Sequence, residues 1–259
     1  MGSEYVEFIM KMQESILFKS LPENTDRHAE LRKKGADLLG ETVSQLVTLL
    51  RPEIVLEIGA HEAKFSRSMK SQLPQSRVVA FEANPTVYKK FEHDVVGHGV
   101  EFLFQCVADD NRTYEFSVPG TDRAHPTMGS VLKYTQKDVF ATYQVPGVRL
   151  DTFLNGAKSS NAMWIDVEGA VGSVLAGASD TLDNCVLLFA ELEARERWEG
   201  QMLDSDVIRT LLARGLVPVL RDIQRHKWQH NVLFLREKSL LQPKIRDICF
   251  NYLQQAVLL

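Results

Sequence analysis

Long apolar runs, clustered cysteines and an excess of either charge are what this sequence of 259 residues lacks. No stretch reaches the ~20 apolar residues that cross a bilayer as a helix, so a membrane-embedded protein is not expected. Three cysteines, Cys106, Cys185 and Cys249, stand far apart and form no Cys-x-x-Cys. They make neither a disulfide framework nor a zinc or redox motif, which favours a reducing, cytoplasmic location. Lys and Arg number 30 against 34 Asp and Glu, a formal net charge of −4. That balance leaves no broad field to gather nucleic-acid phosphates, and nucleic acid is disfavoured as a partner. The N-terminus has no basic segment followed by an apolar core, so no signal peptide is expected. Glycine (15) and proline (9) are too few for a fibrous or low-complexity chain.

What is present is a rhythm. Residues 4–50 read as helical, with one long amphipathic stretch over about 26–50 that stops at Arg51-Pro52, because proline disfavours helical geometry in the residue before it. From 53 onward short apolar runs alternate with amphipathic helices. The expected strands are 54–58, 78–81, 102–107, 162–166, 186–191, 217–220 and 231–235. Between them the pattern predicts helices over 63–73, 85–95, 171–182, 204–214 and 243–257. Such alternation implies a mostly parallel sheet covered by helices, an α/β fold. Residues 109–148 interrupt it with Pro and Gly and read as an insertion of small strands and loops. The expected organisation is therefore an N-terminal helical extension over 1–52, serving as a lid or a homodimer surface, and one domain over 53–259.

In open parallel sheets ligands bind beyond the carboxyl ends of the strands, where strand order reverses. The residues there are Glu57-Ile58-Gly59-Ala60-His61, Glu82-Ala83-Asn84, Val107-Ala108-Asp109 and Asp166-Val167-Glu168-Gly169. Four successive strands thus end in acids. The first turn has one glycine rather than the Gly-x-Gly-x-x-Gly that admits a pyrophosphate, so a nicotinamide dehydrogenase is disfavoured. S-adenosylmethionine (SAM) carries no phosphate; it offers a ribose diol, an ammonium and a cationic sulfonium, all suited to carboxylates. Glu82 stands 23 residues after Gly59, near the ~20-residue offset of the acid that holds ribose hydroxyls in such folds.

These segments, VLEIGAHEAKFS, VVAFEANPTVYKKFE, VRLDTFL and IDVEGAVGSVLAGA, resemble the FkbM-type SAM-dependent methyltransferases over roughly 53–236. The resemblance implies a Rossmann-like class I methyltransferase, with a mostly parallel seven-stranded sheet and methyl transfer mainly to hydroxyl oxygens. It implies that Glu57, Gly59 and Phe65 line the cofactor, that Glu82 holds the ribose, that Asp109 lies beside adenine and that Asp166 lies beside the transferring methyl. The strand-end positions Ala60, His61, Ala83, Asn84 and Ala108 complete the expected cofactor site. Departures from the family pattern are Trp164 in place of a lysine, Val171 in place of an acid and His61 in place of an asparagine.

A hydroxyl acceptor must lose its proton, which calls for a base or a metal. Asp166 is the first candidate at the reaction centre. His226 and His230, before the last strand, are the candidate histidine bases. Glu168 reads as a stabiliser of the following helix start. Tyr134, Tyr143 and Trp164 could wall the acceptor. A magnesium ion could assist but is not favoured. The expected activity is O-methylation of a small molecule, sugar or natural product. The alternative is a catalytically silent SAM-fold binding or scaffold protein.

Overall fold

β1 (Ile54–Ile58) is buried along its whole length, as a strand covered by helices on both faces must be. The computed structural model describes residues 26–119, 128–135, 140–222 and 228–257. The part of the expected helical region before residue 26 lies outside them. Contacts divide the chain into two compact units. Of the described residues, one holds those within Arg51–Cys185 and Glu196–Met202; the other holds 26–50, Val186–Arg195 and those within 203–257. The main sheet has seven strands and is mostly parallel, a Rossmann-like arrangement.

In the first unit the strand order is β3 (Glu101–Phe104), β2 (Arg77–Glu82), β1, β7 (Asn161–Ile165), all parallel. The connecting helices α2 (Lys64–Gln72) and α3 (Pro85–Gly97) carry the chain outward from β1 to β3. It then returns to lay β7 on the other side of β1. Strand order therefore reverses between β1 and β7, which puts a crevice at their carboxyl ends.

Two elements differ from the sequence reading here. The run 102–107 is not one strand: it divides at Gln105, and Cys106–Val107 (β4) pairs in parallel with β6 (Phe140–Val148) in a second, three-stranded sheet. β5 (Thr113–Pro119) completes that sheet as an antiparallel partner of β6. Tyr114, Phe116 and Val145 fill its small core with Cys106 and Ala108. The stretch 140–148 was not legible as a strand because Pro146 and Gly147 interrupt its pattern, yet Pro146 is accommodated opposite Thr113 at the strand's end.

The second difference is the helix expected over 171–182, which is two short ones, α5 (Val171–Ala176) and α6 (Ser179–Asp183). A Cβ at Gly177 would overlap the Ala108 carbonyl. The turn between the helices therefore rests directly on the strand-end backbone. Ahead of β7, α4 (Leu150–Phe153) carries Asp151, whose Oδ1 accepts both the backbone N–H and the hydroxyl of Thr181 in α6, at 2.9 and 2.8 Å.

The second unit contains α1 (Asp26–Leu50), β8 (Cys185–Glu193), α7 (Asp204–Ala213), β9 (Leu216–Arg221), β10 (Gln229–Arg236) and α8 (Pro243–Val257). β10 lies between β8 and β9 and is antiparallel to both. α1 packs against α8, burying Leu39, Val43, Leu46 and Val47 from its apolar face. At the expected ~25 cal/mol per Å² of apolar surface, each such side chain contributes about 1.5–3 kcal/mol. No described helix is long and apolar enough to cross a membrane.

Candidate functional site

The turn after β1 is held by the next strand. Gly59 and Ala60 both donate their N–H to the Phe81 carbonyl, at 3.0 and 2.9 Å. Gly59 has φ +81, and a Cβ there would overlap the backbone carbonyl of Asp166. Only glycine lets β1 and the end of β7 approach so closely. His61 and Ala63 also take positive φ, at 48 and 50, a conformation that costs ordinary residues free energy. Glu82 supplies part of the compensation. Its Oε2 accepts the His61 N–H at 2.7 Å and its Oε1 the Asn84 N–H at 2.6 Å. One buried carboxylate thus ties the turns after β1 and β2 together. Burial raises its pKa, against those backbone hydrogen bonds, which lower it.

Glu57 works in the same way one strand over. Its Oε2 accepts the Ser66 N–H at 2.7 Å, inside the first turn of α2. The residue at that helix's N-cap, Ala63, makes no side-chain cap, so a carboxylate from β1 does the capping. Burial pushes Glu57 up to about 7, opposed by its hydrogen bonds from Ser66. Phe65 stacks at 4.9 Å on Trp164, which sits beside Glu57 in the register of β1 with β7. The His61 ring turns to Phe91 of α3 at 5.5 Å. Its backbone, rather than its imidazole, therefore belongs to the turn. Asn84 caps α3, accepting from Thr86 N at 3.0 Å and Val87 N at 3.4 Å. Ala83 packs on the small-sheet core.

Asp109 lies at the exposed end of β4. Its Oδ1 accepts from the Tyr114 hydroxyl at 2.6 Å and the Ser173 hydroxyl at 2.9 Å. The Tyr114 bond, then Ser173, holds its pKa below the usual carboxylate range. Ala108 is fully buried behind it. Neither Tyr114 nor Ser173 was singled out from the sequence. Tyr114 lay in the 109–148 segment read only as an insertion of small strands and loops.

Asp166 follows β7, its N–H bound to the Ile58 carbonyl at 2.8 Å. It is densely surrounded by protein and yet exposed to solvent, as a residue on the floor of a cleft is. That crowding holds its carboxyl above the usual range. Its negative charge also raises Glu57, Glu82 and Glu168. The four acids therefore form one electrostatically linked group, in which a bound cation relieves repulsion.

Glu168 corrects the sequence reading. It does not cap the following helix, whose N-cap is Ala170 with no side-chain bond. Instead it faces the segments 128–135 and 196–202. The Ser130 hydroxyl donates to its carbonyl at 2.6 Å, and Arg197 Nη1 lies 3.9 Å from Oε2. Burial pushes Glu168 up to about 7, helped by Asp166 and opposed by Arg197 and the Trp198 indole. Trp198 is fully buried against Gly169, which has φ +72 and could carry no Cβ without overlapping the indole. Tyr134 packs edge-on to Trp198 at 4.9 Å. Arg197 and Trp198 were missed because their run has no periodicity; a glycine after an acid in the 166–169 loop was the available signal.

Of the two histidines, His226 lies outside the described residues. His230 is 2% exposed. Burial, then Arg221, pushes its pKa down to about 3, so the ring is neutral at ordinary pH and shut away from bulk solvent. Tyr143 is exposed on β6, and Trp164 is half-buried beneath Phe65.

A family model described as the methyltransferase FkbM domain matches residues 57–217. The 2-O-methyltransferase NoeI of Sinorhizobium fredii is 26% identical over 209 residues, covering 74% of this chain and 84% of that protein. Among solved structures, cofactor-bound Rv0187 from MTB aligns over 88% of this chain and 89% of its own, at 15% identity and TM-score 0.43. The magnesium protoporphyrin IX methyltransferase ChlM of Synechocystis, described with bound SAH, aligns over 90% and 96%, at 10% identity and TM-score 0.40. Both structural likenesses are distant, and the assignment rests on the domain match.

Proposed function

This chain belongs to the FkbM methyltransferase family, and from that premise we propose that it is a SAM-dependent O-methyltransferase acting on a hydroxyl of a small molecule, sugar or natural product. The observation that carries the reading is the set of linked acids, Glu57, Glu82 and Asp166, at the reversal of strand order. SAM supplies an electrophilic methyl on a cationic sulfonium. The residues present suit it: carboxylates for cation and diol, and no glycine-rich loop for phosphate. Both Glu82 oxygens keep a lone pair beyond the backbone bonds they accept, and these receive the ribose hydroxyls. The carboxylates of Asp166 and Glu57 favour the cation. Asp109, with Oδ1 already bound to Tyr114 and Ser173, offers Oδ2 to the adenine amine. The relative NoeI, by its name, methylates a 2-hydroxyl, which supports oxygen as the acceptor atom.

Methyl transfer is an in-line displacement, so much of the acceleration comes from holding acceptor and methyl in line. Calorimetry with SAM and S-adenosylhomocysteine (SAH), followed by methyl release with sugar, polyketide and phenolic acceptors, tests the reading. Binding of both and turnover on a hydroxyl compound are expected. Absence of SAM binding overturns it, and binding without turnover on any acceptor favours the silent scaffold.

A further inference from the structure

Resting on the SAM reading of the site, we propose that Tyr114 and Ser173 are positioning residues for the cofactor's base: by occupying Oδ1 of Asp109 they aim Oδ2 at a 6-amino purine and make the site select it over a 6-oxo one. Asp109 is exposed, so a ligand can reach it. Oδ1 accepts the Tyr114 hydroxyl at 2.6 Å and the Ser173 hydroxyl at 2.9 Å. Both hydroxyls bond the same oxygen, and Oδ2 keeps its lone pairs for a ligand.

The aspartate is held at its backbone as well as at Oδ1. Its N–H donates to Ser173 Oγ at 3.2 Å, and its carbonyl accepts from Arg149 Nη1 at 2.6 Å. Ala108, just before it, donates to the Val148 carbonyl at 3.0 Å and has its own carbonyl against the backbone of Gly177. Tyr114 is fixed in turn by the small sheet. It is 5% exposed and pairs with Val145 of β6. A Cβ at Gly147 would overlap its ring, and the Arg112 guanidinium stands over that ring at 4.0 Å. The second sheet thus delivers one hydroxyl to one carboxylate oxygen. Binding against a side chain already ordered in this way avoids the entropy cost of ordering it.

The selectivity follows from the kind of group each partner presents. The Tyr114 hydroxyl, opposed by burial and assisted by Ser173, keeps the carboxyl ionised to lower pH than usual. An ionised carboxylate only accepts hydrogen bonds. A 6-amino group offers it an N–H, whereas a 6-oxo group sets a second acceptor in the same place. The terminal torsion of an aspartate is broad and nearly two-fold. Without the Tyr114 hydroxyl the carboxylate turns about it more freely, and the aim of Oδ2 is lost together with the preference.

Calorimetry with SAH and with S-inosylhomocysteine, its 6-oxo counterpart, on wild type and Tyr114→Phe tests this. Wild type is expected to prefer SAH by at least about tenfold, the factor for a hydrogen bond to a charged group. Tyr114→Phe is expected to cut that preference about fivefold or more through weaker SAH binding, with S-inosylhomocysteine held within about twofold. An equal loss on both ligands, which a merely structural role would give, overturns the proposal, and so does an unchanged preference. Should the phenylalanine variant fail to fold, Ser173→Ala removes the other hydroxyl. The same drop in preference is then expected, and an unchanged ratio overturns the proposal. A wild type that binds neither ligand ends the SAM reading and this inference together. A wild type that binds SAH no better than S-inosylhomocysteine ends this inference alone.

Discussion

Glu82 holds two backbone amides with two oxygens, His61 N–H on Oε2 and Asn84 N–H on Oε1. A glutamine there must present its NH₂ to one of those donors, whichever way the amide lies. Glu82→Gln is therefore expected to weaken SAM binding by about 1–3 kcal/mol, roughly 5- to 150-fold. Calorimetry on a variant with wild-type circular dichroism checks this, and unchanged affinity removes Glu82 from the site. The spacing from Gly59 made Glu82 legible as a ribose acid, but spacing says nothing of the amides it ties. Glu168 shows the limit more sharply. In sequence it is one more acid before a helix, the usual signature of a helix-start residue. Only the segment 196–202, thirty residues on, turns it into a buried carboxylate beside Arg197 and Trp198.

At the scale of elements, α2 begins without a local cap, because Ala63 has no side-chain acceptor and sits at φ 50. Glu57 on β1 takes over from outside the helix. Glu57→Ala leaves the buried Ser66 N–H unpaired, and a loss of about 1–3 kcal/mol in unfolding free energy is expected. Glu57→Gln, which retains an acceptor oxygen, should lose less. Urea unfolding of the three proteins decides the matter: equal loss from both variants would show that the charge, not the cap, matters. The elements themselves were mostly readable, since β1, α1 and α8 show strong apolar periodicity or runs. The division at Gln105 and the break at Gly177 were not. Both depend on what the backbone meets in space, the edge of β6 and the Ala108 carbonyl.

For the whole molecule, the linked acids make stability and ligand affinity respond to pH in opposite senses. Glu57 and Glu168, each pushed by burial up to about 7 from the ordinary carboxyl value of 4.5, keep protons in the folded state that the unfolded chain has already lost. Their contribution to stability is full below about 4.5 and drains as pH rises through about 7. A cationic ligand favours the ionised forms, so SAM affinity should rise over the same window. SAH lacks the sulfonium charge and should gain less. The ratio of SAH to SAM dissociation constants is thus expected to grow between about pH 5.5 and 8. A ratio that is flat across that range would separate these acids from the cofactor.

The sequence by itself determined the alternation of strands and helices, the acids at strand ends and the family, because apolar period and motif spacing are local properties of a chain. Tertiary structure decided which of those acids share a field, which one caps a distant helix and which is set beside Arg197 and Trp198. Burial, and the approach of segments far apart in sequence, set those outcomes. The shifted carboxyls of Glu57 and Glu168 arise from desolvation, a quantity that exists only once the chain has packed.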